Sequence, residues 1–206
     1  METKELSKLL SESISKGLSY KDYSNEVFLM AEEKRTSGFE QSEAWINFTM
    51  LNARRMKRWE KTLKIADQVE EKIARVQLNI TWLVITESWC GDAAHVLPVI
   101  NKIANLNHGI DLCLVYRDQN PELMEKFLTN GNRGIPKLIM IDNETKEVVS
   151  TYGPRPTSAT RMVQDYKTLH GKLTPEFKED LQRWYNKDKG GTIVLDILKI
   201  LEDHFA

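Results

Sequence analysis

The sequence predicts an α/β fold, a mixed β-sheet flanked by helices, with helical extensions before and after it. Three observations carry this. Two short runs rich in β-branched and aromatic residues, 82–86 (WLVIT) and Ile110–Tyr116 (IDLCLVY), are joined by a helical stretch, as a parallel βαβ unit requires. Two more runs, 137–141 (KLIMI) and Val148–Tyr152 (VVSTY), are joined by Asp142-Asn143-Glu144-Thr145, which is hairpin chemistry. Helical periodicity fills the chain on both sides of this unit.

The elements follow in order. Leu6, Leu9, Leu10 and Ile14 recur at helical spacing. Tyr23, Val27, Met30 and Ala31 repeat it, up to a breaker cluster at Thr36-Ser37-Gly38. A longer helix carries Trp45, Phe48, Leu51, Met56, Trp59 and Leu63, and its Trp45 and Trp59 stripe reads as core or, alternatively, as a dimer surface. Asp67 with Glu70 resembles a helix start, and Val69, Ile73 and Val76 then line one face. After the first strand come a helix over 93–106, the second strand and a short helix over 121–129. The hairpin follows, then a helix over 158–169. Thr174-Pro175 is an N-cap with proline at the first helical position. Gly190-Gly191 separates that helix from one over 192–204. The organisation expected is a helical extension over 1–78 packed on the core, the core over 79–169, and a C-terminal helical extension over 170–206.

Composition narrows the function. Hydrophobic residues at 41% and charged residues at 29% fit a soluble globular protein. A net charge of −1 supplies no global field to recruit nucleic acid or an anionic membrane. No window approaches the roughly 18 apolar residues that span a bilayer. The N-terminal METKELSKLLSES lacks the apolar core of a secretory signal. The only cysteines, Cys90 and Cys113, make a disulfide scaffold unlikely and point to a reducing, cytoplasmic setting. His95, His108, His170 and His204 are scattered and show no metal-ligand spacing. Arg54, Arg55, Lys57, Arg58, Lys61 and Lys64 read as a solvated or acid-paired helix face, with Glu70 and Glu71 close behind. The alternative is an anionic partner, though no nucleic-acid motif accompanies the run.

The chemistry gathers at Ser88–Pro98, "SWCGDAAHVLP". Cys90 follows a strand and opens a helix, whose free N–H groups and positive end favour a thiolate. Gly91 permits a tight turn, and Trp89 is expected to shelter one side of an exposed sulfur. Pro98 should kink the helix. Asp92 works against the helix end, because a carboxylate beside the sulfur raises its pKa. Asp92 also suits the first helical turn, or could serve as a general base if its own pKa were raised. Downstream, Ile135-Pro136 at a strand entrance is a candidate cis peptide. Its neighbouring backbone, that of Ile135, would be open to an extended peptide. Arg155, in Gly153-Pro154-Arg155-Pro156, leaves the last strand on the same side; it either offers a cation to a thiolate, a substrate or a carboxylate, or caps an exposed rigid turn. Arg133 is placed similarly, with less certain direction. His95 lies five residues past Cys90, about 140° around the helix, so it is not expected to be the thiol's base.

These motifs, in this order, resemble thioredoxin. Trp89-Cys90-Gly91 matches the start of the Trp-Cys-Gly-Pro-Cys active site, and Pro98 matches the kink proline of its helix. Asp118-Gln119-Asn120-Pro121 and Arg133-Gly134-Ile135-Pro136 match a post-strand stretch and the cis-proline loop. The likeness covers about 79–169 and implies a thioredoxin fold, βαβ-α-ββα. The whole chain also resembles an uncharacterised bacterial thioredoxin-like subfamily bearing Trp-Cys-Gly-Asp-Ala, with helices at both ends. The departures matter as much. Ala93 stands where the resolving cysteine should be, Asp92 replaces the intervening proline, and Val84 stands where a buried acid usually assists the second thiol. Cys113 does not substitute: strand geometry puts it about 13 Å from Cys90, beyond the about 7 Å that a disulfide spans.

The resemblance therefore implies a monothiol thiol–disulfide oxidoreductase with Cys90 as nucleophile and Trp89, Gly91, Asp92, Ala93, Ile135, Pro136 and Arg155 around it. Its mixed disulfide would need an external thiol, such as glutathione or another low-molecular-weight thiol, as co-substrate. No other cofactor and no metal is expected. Partners would be a disulfide-containing protein or a small thiol, not nucleic acid or membrane, with a homodimer open. The alternatives are a redox-inactive binding module, with a groove at Trp89, Ile135-Pro136 and Gly153-Pro154, or a redox sensor stored as a mixed disulfide. A monothiol-glutaredoxin-like iron–sulfur dimer lacks the serine that such proteins carry.

Overall fold

In the computed structural model, which describes residues 2–205, strand β1 (Ile80–Thr86) is buried along its whole length. Its apolar run without polar alternation is what a strand covered on both faces needs. β1 pairs in parallel with β2 (Ile110–Tyr116), from Ile80 opposite Ile110 to Thr86 opposite Tyr116. On its other side it pairs antiparallel with β3 (Lys137–Asp142), which pairs antiparallel with β4 (Val148–Tyr152). The sheet order is β2-β1-β3-β4. The parallel pair needs a crossover, and four helices precede it in the chain: α1 (Glu2–Ser15), α2 (Tyr20–Glu32), α3 (Glu43–Thr62) and α4 (Asp67–Arg75). That crossover helix, α5 (Ala93–Ala104), carries the expected Pro98 and is almost wholly buried. The hairpin between β3 and β4 turns on Asp142, whose Oδ1 accepts from the amides of Glu144 and Thr145 at 2.9 and 2.7 Å.

The remaining helices are α6 (Pro121–Lys126), α7 (Thr157–His170), α8 (Pro175–Asp188) and α9 (Gly191–Phe205). α6 is shorter than the 121–129 expected, because the chain turns at once into a bridge between Thr129 and Asn132. Thr174 caps α8 as expected, its side chain accepting from the Phe177 amide. No helix among the described residues is long and apolar enough to cross a membrane.

Both extensions are structural parts of the core. Leu18, between α1 and α2, exchanges both backbone hydrogen bonds with Leu114 at 2.8 Å, so it covers the free edge of β2. α3 packs against α2 and α5, and α9 packs against α5, α7 and β4. The face of α3 that turns inward is only partly the one its apolar stripe predicts. Thr49, Asn52, Ala53, Met56 and Trp59 are buried, whereas Phe48 and Leu51 are 49% and 40% exposed. The polar pair wins because Thr49 and Asn52 have buried hydrogen-bond partners waiting on the loop before Cys90.

Ile193, Ile197 and Leu201 of α9 are fully buried in the common core. Ile197→Ala should therefore cost about 2–5 kcal/mol, the usual range for deleting a buried branched side chain. Urea unfolding followed by far-UV circular dichroism should show this in a single transition; a value under about 0.5 kcal/mol would mean that α9 is an appendage.

Candidate thiol site

The loop before Cys90 is held by the N-terminal extension. Ser88 Oγ lies 2.9 Å from Thr49 Oγ1 and accepts from the Ser37 amide at 2.9 Å, while the Ser88 amide donates to Ser37 Oγ at 2.8 Å. Asn52 Nδ2 donates to the Ser88 carbonyl at 2.8 Å. Glu87 is fully buried; its carboxylate accepts from the Ser37 hydroxyl and, at 2.9 Å, from the Asp118 amide. Burial raises the Glu87 pKa, against those two hydrogen bonds. The Thr36-Ser37-Gly38 cluster is thus a buried clasp as well as a helix breaker.

Cys90 Sγ sits between two backbone groups. Its S–H donates to the Ile135 carbonyl at 3.2 Å, and the Ala93 amide, at the start of α5, donates to the sulfur at 3.5 Å. The Ile135-Pro136 bond is cis. Two expectations are corrected here. Cys90 is not exposed: only 8% of its surface is accessible. Nor is its thiolate favoured: burial first, then Asp92, push its pKa up to about 12, outweighing the Ala93 and Asp92 amides and Arg155. The Ile135 carbonyl is correspondingly not open to a peptide, because the thiol occupies it.

Asp92 is the hub. Its Oδ2 pairs with Arg155 Nη2 at 2.7 Å, and its Oδ1 accepts from the Tyr185 hydroxyl at 2.9 Å. Arg155 therefore faces a carboxylate of the protein itself. Burial raises the Asp92 pKa, opposed by Arg155 and Tyr185. Burial also works against the Arg155 charge, but Asp92 and Tyr185 overcome it and raise the Arg155 pKa. The pair is ionised, because arginine does not give up its proton and a lone buried guanidinium is costly. With both oxygens engaged, Asp92 is not placed as a general base.

His95 is equally committed. The Trp59 Nε1–H donates to its Nδ1 at 2.8 Å, which puts the ring proton on Nε2, 2.7 Å from Gln182 Oε1. The ring stacks on Tyr185 with centroids 4.4 Å apart. Burial first, then Arg55 and Arg58, lower its pKa to about 3, so it is neutral and not the base of Cys90. Trp89 stacks on Trp45 at 4.4 Å, with Arg117 over its ring at 4.8 Å. Arg117 is in turn paired with Asp118 at 2.8 Å. Gly91 lies beside Arg55 and Gln182. Arg133 is exposed and paired with Glu125, on the outer surface. Cys113 is free, half-buried and packed under Gly17. Among the described residues, no cluster of His, Cys, Asp and Glu could hold a metal ion.

Sequence reasoning missed Tyr185, Gln182, Glu87, Ser88 and the buried role of Asn52. Tyr185 reaches Asp92 across 93 residues of chain, and no local pattern marks it. Glu87 did leave a signal: an acid directly after a strand as apolar as Trp82-Leu83-Val84-Ile85 must find partners.

The neutral, buried His95 sets a pH dependence. Its pKa is about 3 when folded and about 6.5 when unfolded. Between these values the unfolded chain binds the extra proton, so stability falls as pH drops below about 6.5, by about 1.4 kcal/mol per unit. His95→Phe should flatten the fall in urea midpoint between about pH 6.5 and 4. An unchanged slope would show that folding does not lower the His95 pKa.

A family model described as thioredoxin matches residues 38–167, more than half of the chain, and so takes in α3 and α4 as well as the sheet. No curated protein matches the sequence. Among solved structures, a protein of unknown function from Pseudomonas aeruginosa superposes with a TM-score of 0.62 at 16% identity, over 94% of this chain and 96% of its own. An HIV epitope-scaffold superposes with a TM-score of 0.61 at 17% identity, over 94% and 97%. At such identities the likeness is one of fold, helical extensions included. The sheet, the Trp-Cys-Gly turn at the head of α5 and the matched model agree that the chain belongs to the thioredoxin family.

Proposed function

We propose that the protein is a monothiol disulfide-exchange protein whose Cys90 is latched in the resting state. The carrying observation is the position of Sγ, between the Ala93 amide and the carbonyl preceding Pro136, with only a methyl side chain at Ala93. A sulfur held at that turn is placed to meet a disulfide, and nothing at position 93 can displace the product. The Cys90 S–H first loses its proton to solvent. The thiolate attacks one sulfur of an R–S–S–R′ disulfide; the Cys90–S–SR bond forms, the S–S bond breaks and R′S⁻ leaves. A second, external thiolate then attacks the SR sulfur and returns Cys90 as thiolate. The subfamily with a Trp-Cys-Gly-Asp-Ala turn fits this reading, since it too keeps one thiol.

The latch is the high pKa. At about 12, roughly one Cys90 in 10⁵ is thiolate at neutral pH. Exchange therefore requires the cover to shift, so that water reaches the sulfur. Arg155 and Tyr185 form that cover through Asp92. The same burial favours a second reading, a redox-inactive binding module, in which Cys90 never ionises. Alkylation separates the two.

In the latched state, iodoacetamide alkylation of Cys90 should rise about tenfold per pH unit from pH 7 to 10 without levelling, because the thiolate fraction is still growing. A plateau below about pH 9, read by mass spectrometry of the Cys90 peptide, would rule out the latch. Adding a mixed disulfide and then glutathione should form and clear a Cys90 adduct; no adduct in excess disulfide would favour the binding module.

Asp92→Asn removes the charge that opposes the thiolate. Alkylation at pH 7 should quicken by about tenfold, one pKa unit. Stability should fall by about 3 kcal/mol, since Arg155 is left buried and unpaired. An unchanged alkylation rate in the folded variant would mean that Asp92 does not govern Cys90.

A further inference from the structure

The basic run on α3 is not acid-paired. Among the described residues, no carboxylate lies within 4.0 Å of Arg54, Arg55, Lys57, Arg58, Lys61 or Lys64. The acids expected to serve it are taken: Glu70 pairs with Lys102 and Glu71 with Arg75. Arg54, Lys57, Arg58, Lys61 and Lys64 are exposed, whereas Arg55 lies near α8. A side chain begun at Gly91 would meet Arg55 Nη1 at 3.6 Å and Gln182 Nε2 at 3.8 Å. Arg55 is half-buried and donates only to the neutral Asn52 Oδ1, at 2.9 Å. Arg58 donates across the seam to Asn186 Oδ1. Beyond that bond, α3 and α8 enclose a cleft of about 520 Å³ lined by Arg58, Thr62, Lys64, Asn186 and Lys189 on an apolar floor of Trp59 and Leu63. No acid lines it. Burial and the neighbouring Arg58 both work against the Arg55 charge; the carboxylate that acts on it, Asp92, is already held by Arg155 and Tyr185.

The geometry points to an anion-binding seam between α3 and α8 that begins beside the Cys90 turn. A half-buried guanidinium without a carboxylate, as at Arg55, is costly to hold, and an incoming anion relieves that cost; the exposed Arg58, Lys64 and Lys189 add positive charge along the seam. Arg55 and Thr62 are seven residues apart, about 10 Å along the helix. A ligand with one carboxylate at Arg55 and a second in the cleft at Lys64 and Lys189 spans that distance. Its chemical class is a short peptidyl thiol with two carboxylates, of the glutathione kind. Gly91 leaves room for it at the turn, since any side chain there would occupy the space between Arg55 and Gln182. This assignment rests on the exchange reading above, whose external thiol it specifies by charge.

The test separates binding from exchange. S-methylglutathione and its diethyl ester are titrated by calorimetry into the full-length Cys90→Ser protein, which cannot react. The acid should bind about a hundredfold more tightly than the ester, the worth of two charge-assisted contacts at about tenfold each. Arg55→Gln and Lys189→Gln, at opposite ends of the seam, should each weaken the acid by about tenfold and leave the ester unchanged. Raising salt from about 50 to about 500 mM should weaken only the acid. Equal affinities for acid and ester, no binding of either at about 10 mM, or a preference that survives both substitutions would overturn the seam. Lys189→Gln keeps the test decisive if Arg55→Gln does not fold. Charge-selective binding together with a wild-type Cys90 that forms no adduct with a neutral disulfide would leave the anion seam standing and bring down the exchange reading.

Discussion

The Asp92 carboxylate is the interaction on which this site depends. It lies two residues from the thiol, at the head of α5, and is buried where an isolated charge would be too costly to keep. It is tolerated because two distant pieces of chain complete it: Arg155 from the β4–α7 loop and Tyr185 from α8. Those pieces consequently pack against the head of α5 beside the buried thiol. Tyr185 then stacks on His95, and His95 fastens Trp59 of α3 and Gln182 of α8. One charge thereby ties the core helix to both extensions.

The same arrangement decides the chemistry of Cys90. A helix N-terminus normally lowers a thiol pKa, and the Ala93 amide is in place to do so. Two larger effects oppose it. Covering the turn removes water from the sulfur, and Asp92 adds a like charge to any thiolate. The proton is kept on sulfur and is used as a donor to Ile135. A dithiol protein with this cover would have trapped its second sulfur in a dry site; with alanine at position 93 there is no second sulfur to trap.

Much of the frame was legible. Ile110–Tyr116 and Val148–Tyr152 are the strands that periodicity outlines, and the parallel unit and hairpin stand where turn chemistry puts them. The α3 stripe was legible at Met56 and Trp59 and not at Phe48 and Leu51, for a definite reason. Periodicity assumes that the apolar face goes inward, but Thr49 and Asn52 satisfy buried groups of the Ser88 loop, while Phe48 and Leu51 have no such call on the interior. The basic run is the solvated face expected of it at Arg54, Lys57, Arg58, Lys61 and Lys64, while Arg55 is half-buried; the acid pairing is not made, since Glu70 and Glu71 turn toward other cations.

By itself, the sequence determined the α/β frame, the single thiol at the head of α5, the missing resolving sulfur and the charge at Asp92. These are local properties: hydrophobic period, turn chemistry and residue identity at adjacent positions. Only the tertiary structure decided that the thiol is covered, that Arg155 serves Asp92 rather than the sulfur, and that α3 and α8 form a seam of cations beside it. Each of those rests on contacts between residues tens of positions apart, and on the loss of water they bring about. Solvent exposure, and with it the pKa of Cys90, is set by what arrives from elsewhere in the chain.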